Sequence, residues 1–347
     1  MTKSKGYSMK NKIMVAGNII VDYLYPITGY PERGQLTTIE DGCGKSVGGA
    51  VCNVGIDLKR LMPDTEICAL GLVGDDDSGR YALSVMEDEG VNTSLVGKKG
   101  ATSFTYVMSD KISRERTFFQ YRGANAHFSE DSFNWDDVDC DLIHIAYILL
   151  LDELDKEDSE YGTKMARLLA HAKERGIKTS IDVVSETGER FGRLVPPALR
   201  YTDYCIINEI EASRSTGIPL RAEDGALIYE NVKKVLSKLF ELGVSEWAVI
   251  HSPEGGFGMD KDGDYAECGL VYTPSGFIKG KVGAGDAFCA GVLSAAHRGL
   301  SLLDAVKLGN AAATVSLRSP GATEAMETIE ETMRICSELG FEPVKLN

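Results

Sequence analysis

The residues best suited to chemistry lie in "GKVGAGDAFCAGVL", Gly280 to Leu293. Gly283, Ala284 and Gly285 are three successive small residues that leave their backbone N–H groups open to a ligand. They stand where "DAFCAGVLSAAHRG" begins a helix that ends near Gly299. A helix start carries unpaired donors and a partial positive charge, so the pattern asks for an anion. Asp286 follows at once, a carboxylate at the mouth of an anion site. Two readings fit it. Asp286 is a helix N-cap, or it is a general base that takes a proton from a hydroxyl beside the anion. Spacing does not separate them.

Other candidates divide in the same way. Asn208 and Glu211 in "INEIEAS" are an N-cap with a first-turn carboxylate, or ligands for a metal and its anion. Asn53 lies inside the apolar helical run "GAVCNVGIDLKRLM", where a buried amide needs partners. Gly48-Gly49 before it reads as a tight turn. Arg122 and Asn125 in "YRGANA" follow a strand-like run. "DGCGKS" ends like a P-loop, but Ile39 stands where its first glycine belongs and no buried strand precedes it. "GAGDAF" is not a dinucleotide fingerprint, because Phe288 takes the third glycine's place. Asp75, Asp76 and Asp77 lack calcium-loop spacing and read as a helix-start turn. The five histidines are scattered, with no metal-ligand spacing.

Elements able to hold these residues alternate along the chain. Strand-like runs are "KIMVAGN", "EICALGLVG", "LIHIAYILLL", "KTSIDVV", "DYCIIN" and "WAVIH". Helix-like runs between and after them are "GAVCNVGIDLKRLM", "SGRYALSVMEDEG", "EYGTKMARLLAHAKERG", "DGALIYENVKKVLSKLFELG", the run after Asp286 and one near "TIEETMRICSELG". Near-continuous apolar strands alternating with helices predict a parallel sheet covered on both faces. Residues 24–45 and 101–122 break the rhythm, the second as two strands around "SDKISR". They form either a β flap that excludes water from a site or an ordinary edge hairpin. The charge cluster "DELDKEDSE" reads as a solvated loop and helix start.

Bulk properties exclude some classes. A net charge of −15 argues against nonspecific nucleic-acid or anionic-membrane binding. The run "IMVAGNIIV" is too short for a membrane span and a poor signal peptide. The eight cysteines form no C-x-x-C pair and most lie in apolar runs, which reads as reduced thiols in a cytoplasmic protein.

Taken in order, the motifs resemble the ribokinase-like, or PfkB, carbohydrate kinases. "VGAGDAFCAGVL" is similar to that family's D-T-x-G-A-G-D-x-F, "VGGAVCNVGIDLKRL" to its G-G-x-x-x-N, and "LGLVGDDDSGRYALSVMEDEGVNTSLV" to its G-x-D-x-x-G segment. "INEIEAS" fits N-x-x-E and "GNAAATVSLRSPGAT" the closing N-A-A-A segment, all in family order from about residue 12 to 325. The resemblance implies a three-layer α/β/α sandwich with a mostly parallel central sheet and a small β-sheet lid. The core would take residues 11–23, 46–100 and 123–345, and the lid 24–45 and 101–122.

It also implies ATP-dependent phosphorylation of a ribose-, fructose- or sugar-acid-like hydroxyl, with Asp286 as base and Gly283, Ala284 and Gly285 as the anion hole. Asp22, Gly48, Gly49 and Asn53 would contact the sugar, with Asn18, Arg122 and Asn125 beside them. Asn208 and Glu211 would organise Mg²⁺ and the phosphates through water, and Gly256, Lys281 and Asn310 would serve the nucleotide. A nucleoside kinase, or a sugar or nucleotide sensor without catalysis, are the alternatives. A homodimer through the β lid is a further expectation.

Two departures stand out. Gly280-Lys281 replaces the usual D-T, whose aspartate helps hold a monovalent cation in potassium-activated members, so potassium activation is in question and the Lys281 ammonium is a substitute for the missing charge. "HSPEGG" puts His251 and Pro253 at the Thr and first Gly of the family's T-x-G-x-x-G, keeping Gly256 alone, so nucleotide contacts there must differ.

Overall fold

A computed structural model describes residues 10–113, 115–184 and 190–344. The first part of the chain forms β1 (Lys12–Gly17), β2 (Ile20–Ile27), β3 (Gly44–Gly48), α1 (Ala50–Leu61), β4 (Glu66–Val73), α2 (Asp77–Asp88) and β5 (Asn92–Lys98). Then come β6 (Phe104–Asp110), β7 (Arg116–Tyr121), β8 (Leu142–Ile148), the two-residue strands β9 (Glu157–Asp158) and β10 (Gly162–Thr163), α3 (Lys164–Glu174) and β11 (Lys178–Val183). The rest forms α4 (Phe191–Leu199), β12 (Tyr204–Asn208), α5 (Glu209–Thr216), α6 (Tyr229–Glu241), β13 (Trp247–Ser252), β14 (Gly255–Asp260), β15 (Tyr265–Gly269), α7 (Ala284–His297), α8 (Leu302–Ser316) and α9 (Ile329–Leu339).

Nine strands make one sheet in the order β15-β14-β13-β12-β11-β8-β1-β4-β5. The seven from β13 to β5 pair in parallel, and β14 and β15 close the edge antiparallel. β1 is buried from Ile13 to Gly17, as a strand covered on both faces must be. One core cluster lies on each side of the sheet. The first includes Met14, Ile143 and Leu168, and the second includes Val15, Val54 and Phe288. Small residues bring α7 and α8 close: a Cβ on Gly291 would lie 2.7 Å from Leu308 O.

A second sheet, in the order β3-β2-β6-β7, stands apart from the first. It takes in Ile20–Tyr23 and Ser46–Gly48, which the sequence grouped with the core, because β2 and β3 pair from Ile20↔Gly48 onward. Tyr23, Phe104, Tyr106 and Tyr121 form a row of ring contacts along it. Every residue of β7 is exposed. The fold is thus the ribokinase-like sandwich with a separate small sheet.

Several boundaries differ from expectation. α3 starts at Lys164, where the Thr163 hydroxyl accepts Ala166 N–H at 3.1 Å, and not at Glu160. α6 starts at Tyr229, because Arg221 and Leu227 bridge across a tight turn that the sequence read as helix. α4 carries Pro196 and Pro197 inside it, a pair that normally marks a break. Asp155 in the charge cluster is not solvated. It is 8% exposed, accepts Leu149 N–H at 3.0 Å and pairs with Arg190 at 3.0 Å. Asp76 is the N-cap of α2, as a helix-start turn requires.

Candidate active site

The parallel strands β1, β8, β11, β12 and β13 end, at their C-terminal edges, in a set of polar side chains. Asn18 follows β1, and Tyr147, Asp182, Asn208 and His251 lie near the ends of the other four. Ligands of open α/β sheets bind outside these strand ends.

α7 starts beside them. Its N-cap Gly283 has φ 76° and no side chain caps the helix. A side chain at 283 would also meet Ala322, whose Cβ would lie 2.7 Å from the new atom. Only glycine meets both conditions. The N–H groups at the start of α7 are therefore presented to a ligand without a side-chain acceptor in the way. Ala284 and Gly285 also line a cavity of about 230 Å³ that runs between β13, α7 and α8 to Asn310 and Thr314. The ring of His251 lies on that of Phe288, with centroids 4.9 Å apart. Burial lowers the His251 pKa to about 4, so the ring is neutral at pH 7.

Asp286 is 9% exposed and lies in the first turn of α7. Both carboxylate oxygens are held. Tyr147 Oη donates to Oδ1 at 2.5 Å, and Asn53 Nδ2 donates to Oδ2 at 2.9 Å. No side chain cap is made by Asp286, so the capping reading falls away. Burial raises its pKa, and the Tyr147 and Asn53 hydrogen bonds oppose that rise.

The G-G-x-x-x-N helix explains itself once folded. A Cβ on Gly48 would lie 2.6 Å from Asp22 Oδ2, so glycine leaves room for that carboxylate. Gly49 has φ 82° and starts α1 against Asn18 O. Cys52, in the first turn of α1, lies within electrostatic reach of both Asp22 and Asp286. Asp22 on β2 and Asp286 on α7 therefore both approach the start of α1. Burial also raises the Asp22 pKa, with a hydrogen bond from Thr105 opposing it.

Some expected contacts are engaged elsewhere. Asn53 faces Asp286 as a donor, and its Oδ1 is buried without a hydrogen-bond partner among the described residues. Asn125 is not brought to the site, because its amide clamps the Ile19 backbone at 3.2 and 3.0 Å. Asn18 accepts Tyr147 N–H at 2.7 Å and so positions the β8 end. Arg122 Nη2 donates to Leu149 O at 3.3 Å, and its buried Nη1 lacks a hydrogen-bond partner among the described residues.

On the other flank, Asn208 Oδ1 accepts the Ile210 and Glu211 N–H groups, and Glu211 Oε2 accepts Asn208 N–H. This capping box is the structural reading of N-x-x-E. It also fixes the Glu211 carboxylate, 4% exposed, near Asp182. Burial pushes Asp182 well above the carboxylate range, and Glu211 and Asp286 add to the effect. Asn310 Nδ2 donates to the Cys268 and Gly269 carbonyls while lining the cavity. Gly256 is a packing residue, since a Cβ there would lie 2.8 Å from Val306 and 3.1 Å from Phe288. Lys281 is exposed. Gly280 is tight: a Cβ would lie 2.6 Å from Ser319 O and 2.7 Å from Pro320 Cα. A side chain at this position would therefore require the facing loop at Ser319 and Pro320 to shift.

Sequence reasoning missed Tyr147 and Asp182. Tyr147 lies near the end of the mostly apolar β8, and Asp182 lies in β11, which also carries Lys178, Thr179 and Ser180. The signal available was that a buried phenol or carboxyl needs a partner.

Sheet, lid and helix start together define a phosphotransferase of the ribokinase-like fold. The family model for pfkB family carbohydrate kinases matches residues 10–329, and the chain belongs to that family. It is an enzyme that transfers a phosphoryl group to an alcohol hydroxyl. Among curated relatives, the 5-dehydro-2-deoxygluconokinase of Geobacillus thermodenitrificans is 24% identical over 83% of each chain. The ribokinase of Haemophilus influenzae is 23% identical over 94% of this chain and 98% of its own. Among solved structures, Arabidopsis thaliana ribokinase complexed with ribose and ATP superposes with TM-score 0.76 at 19% identity, covering 93% of this chain and 98% of that one. Methanocaldococcus jannaschii nucleoside kinase superposes with TM-score 0.73 at 19% identity, covering 96% and 100%.

Proposed function

We propose that this chain is an ATP-dependent kinase of a small carbohydrate, with Asp286 as general base. The observation that carries the reading is the Asp286 carboxylate, held on both oxygens beside an uncapped helix start. The acceptor hydroxyl gives its proton to Asp286, and its oxygen bonds to the γ-phosphorus. The bond from phosphorus to the ADP oxygen breaks, and the charge on the phosphoryl group is met by the N–H groups of residues 283–285. The acceptor lies between Asp22, Gly48-Gly49 and Arg122, under the small sheet. The cavity ending at Asn310 receives the nucleotide.

The oxygen donors Asp182, Glu211 and Asn208 suit a hard divalent ion such as Mg²⁺. Bound with the nucleotide, such an ion supplies positive charge to the phosphates. The exposed aromatics of β7 support pairing of two copies through the small sheet. All eight cysteines are free and seven are buried, which suits a reducing cytoplasm.

An ADP-release assay over D-ribose, D-fructose, 5-dehydro-2-deoxy-D-gluconate and adenosine tests the reading. Asp286→Asn should lower kcat at least about 10²-fold on the best acceptor while sugar binding by calorimetry stays near wild type. Near-normal turnover of that variant removes Asp286 from the chemistry. Binding without turnover of any acceptor by the wild type would make the protein a sensor.

A further inference from the structure

A carboxylate this deeply buried tends to take up a proton, and a protonated Asp286 is no base. Acids, thiols and a phenol surround it. From α1, Asp57 is fully buried, with neither oxygen hydrogen-bonded among the described residues, and it feels the Asp286 charge. From β11, Asp182 lies within electrostatic reach of Asp286. The thiols of Cys52 on α1 and Cys289 on α7 also feel it, as does Tyr147 on β8. None of these is a cation. The ionised base is therefore kept by hydrogen-bond donors, and two are present: Asn53 and Tyr147.

Tyr147 is anchored for such a task. Its ring packs into the core cluster that holds Ala287 and Phe288. Its N–H is held by Asn18 Oδ1 at 2.7 Å, and Asn18 N–H in turn bonds to Ala146 O at 3.0 Å. Burial and the neighbouring Asp286 charge push the phenol well above its ordinary range, so it stays a donor across the working pH. Resting on the assignment of Asp286 as base, we infer that Tyr147 is its positioning residue: the phenol fixes Oδ1 and turns the remaining lone pairs of the carboxylate toward the acceptor hydroxyl. Nothing in the motif pattern requires a tyrosine at the end of β8.

The inference predicts a signature in the pH profile. Activity is lost as pH falls through the pKa of the ionised base. A hydrogen bond to a charged oxygen lowers that pKa, so its removal raises it. Tyr147→Phe keeps the ring and deletes one hydroxyl. With the best acceptor of the four named above, the acid limb of kcat/KM should move up by about 1 to 2 pH units. The plateau kcat should fall about 10-fold or more, with KM little changed. A 3-fluorotyrosine placed at position 147, a stronger donor, should move the acid limb down. Thermal denaturation of each variant guards against misfolding, and the fluorinated protein gives an answer if Tyr147→Phe is unstable.

The outcomes are distinct from those of the parent reading. If Asp286→Asn is inactive but both Tyr147 variants keep the wild-type acid limb, Tyr147 does not position the base and the inference falls alone. If Tyr147→Phe raises kcat or tightens the acceptor with an unmoved limb, the phenol occupies the acceptor's place and is displaced by it, which also overturns the inference. If Asp286→Asn is active, the base itself is misassigned.

Discussion

Gly283→Ala separates the proposed anion hole from the proposed base. Gly283 has φ 76°, and its missing Cβ would lie 2.7 Å from Ala322 Cβ and 2.9 Å from Ala322 Cα. Alanine there bears two costs. The left-handed backbone costs roughly 1–2 kcal/mol, and the overlap with Ala322 costs a further 1–3 kcal/mol or so unless the helix start moves. Movement is the cheaper response, and it displaces the N–H groups that face the phosphoryl oxygens. Loss of one well-placed donor typically costs about 10²–10³ in kcat. Gly299 supplies the control. It follows the other end of α7, has φ 67°, and has no atom within 4 Å of its would-be Cβ. Gly299→Ala should bear the backbone cost alone, a fall in Tm of about 1–3 °C, with kcat unchanged. The assay is kcat by coupled ADP release, with Tm measured on the same preparations. The expected pattern is both variants folded and only Gly283→Ala slow. A folded Gly283→Ala enzyme with kcat within about 3-fold of wild type would refute the reasoning, since the anion hole would then tolerate the shift that the contact with Ala322 demands.

Two further outcomes follow from the loops around the site. The tight packing of Gly280 on Ser319 and Pro320 predicts equal rates in K⁺ and Na⁺, and a clear gain in K⁺ would show that a cation site exists there after all. Lys281→Met, which removes an exposed ammonium, should raise KM for ATP about 2- to 5-fold at low salt, an effect that shrinks as ionic strength rises. A KM that ignores both the substitution and the salt would leave Lys281 without a role toward the phosphates. On the small sheet, Phe118 and Phe119 of β7 are 63% and 55% exposed. Replacing both with Asp should convert a dimer to a monomer in light scattering, and a wild-type protein that is already monomeric at micromolar concentration would rule out pairing through the small sheet.

Much of the fold was legible because parallel strands carry a strong signature. "KIMVAGN" and "EICALGLVG" are apolar throughout, and they became neighbours in the sheet. The antiparallel edge was harder to read. β14, "GGFGMD", is half glycine, and Gly256 and Gly258 serve packing against Val306, Phe288 and Leu302 rather than a turn. α4 was hidden by Pro196-Pro197, whose cost is offset by burial of Phe191, Leu194, Val195, Ala198 and Leu199. Within the site, residues with a fixed sequence spacing were legible: Asp286 after its small loop, Gly49 before Asn53, Asn208 before Glu211. Contacts made across the sheet were not. Asn125 reads as a ligand residue until the Ile19 backbone is seen beside it, and Tyr147 reads as one more strand residue until Asp286 arrives from the far end of the chain.

The same distinction explains how an acid comes to sit at an anion site. Taken alone, Asp286 would oppose the phosphates that the start of α7 attracts. Its two oxygens are instead turned onto Tyr147 and Asn53, donors carried by β8 and α1. The N–H groups of residues 283–285 remain open on the cavity side, where Ala284 and Gly285 meet His251 and Asn310. On the proposed reading, anion and base use different faces of one helix turn. Burial pushes Asp57 and Asp182 well above the carboxylate range. In the proposed reading Asp182 and Glu211 serve the cation, while Asp286 is held by the neutral donors Tyr147 and Asn53. Tyr147 belongs to the proposed base and not to the proposed metal ligands, so changes at Tyr147 should alter the acid limb without altering the dependence of rate on Mg²⁺.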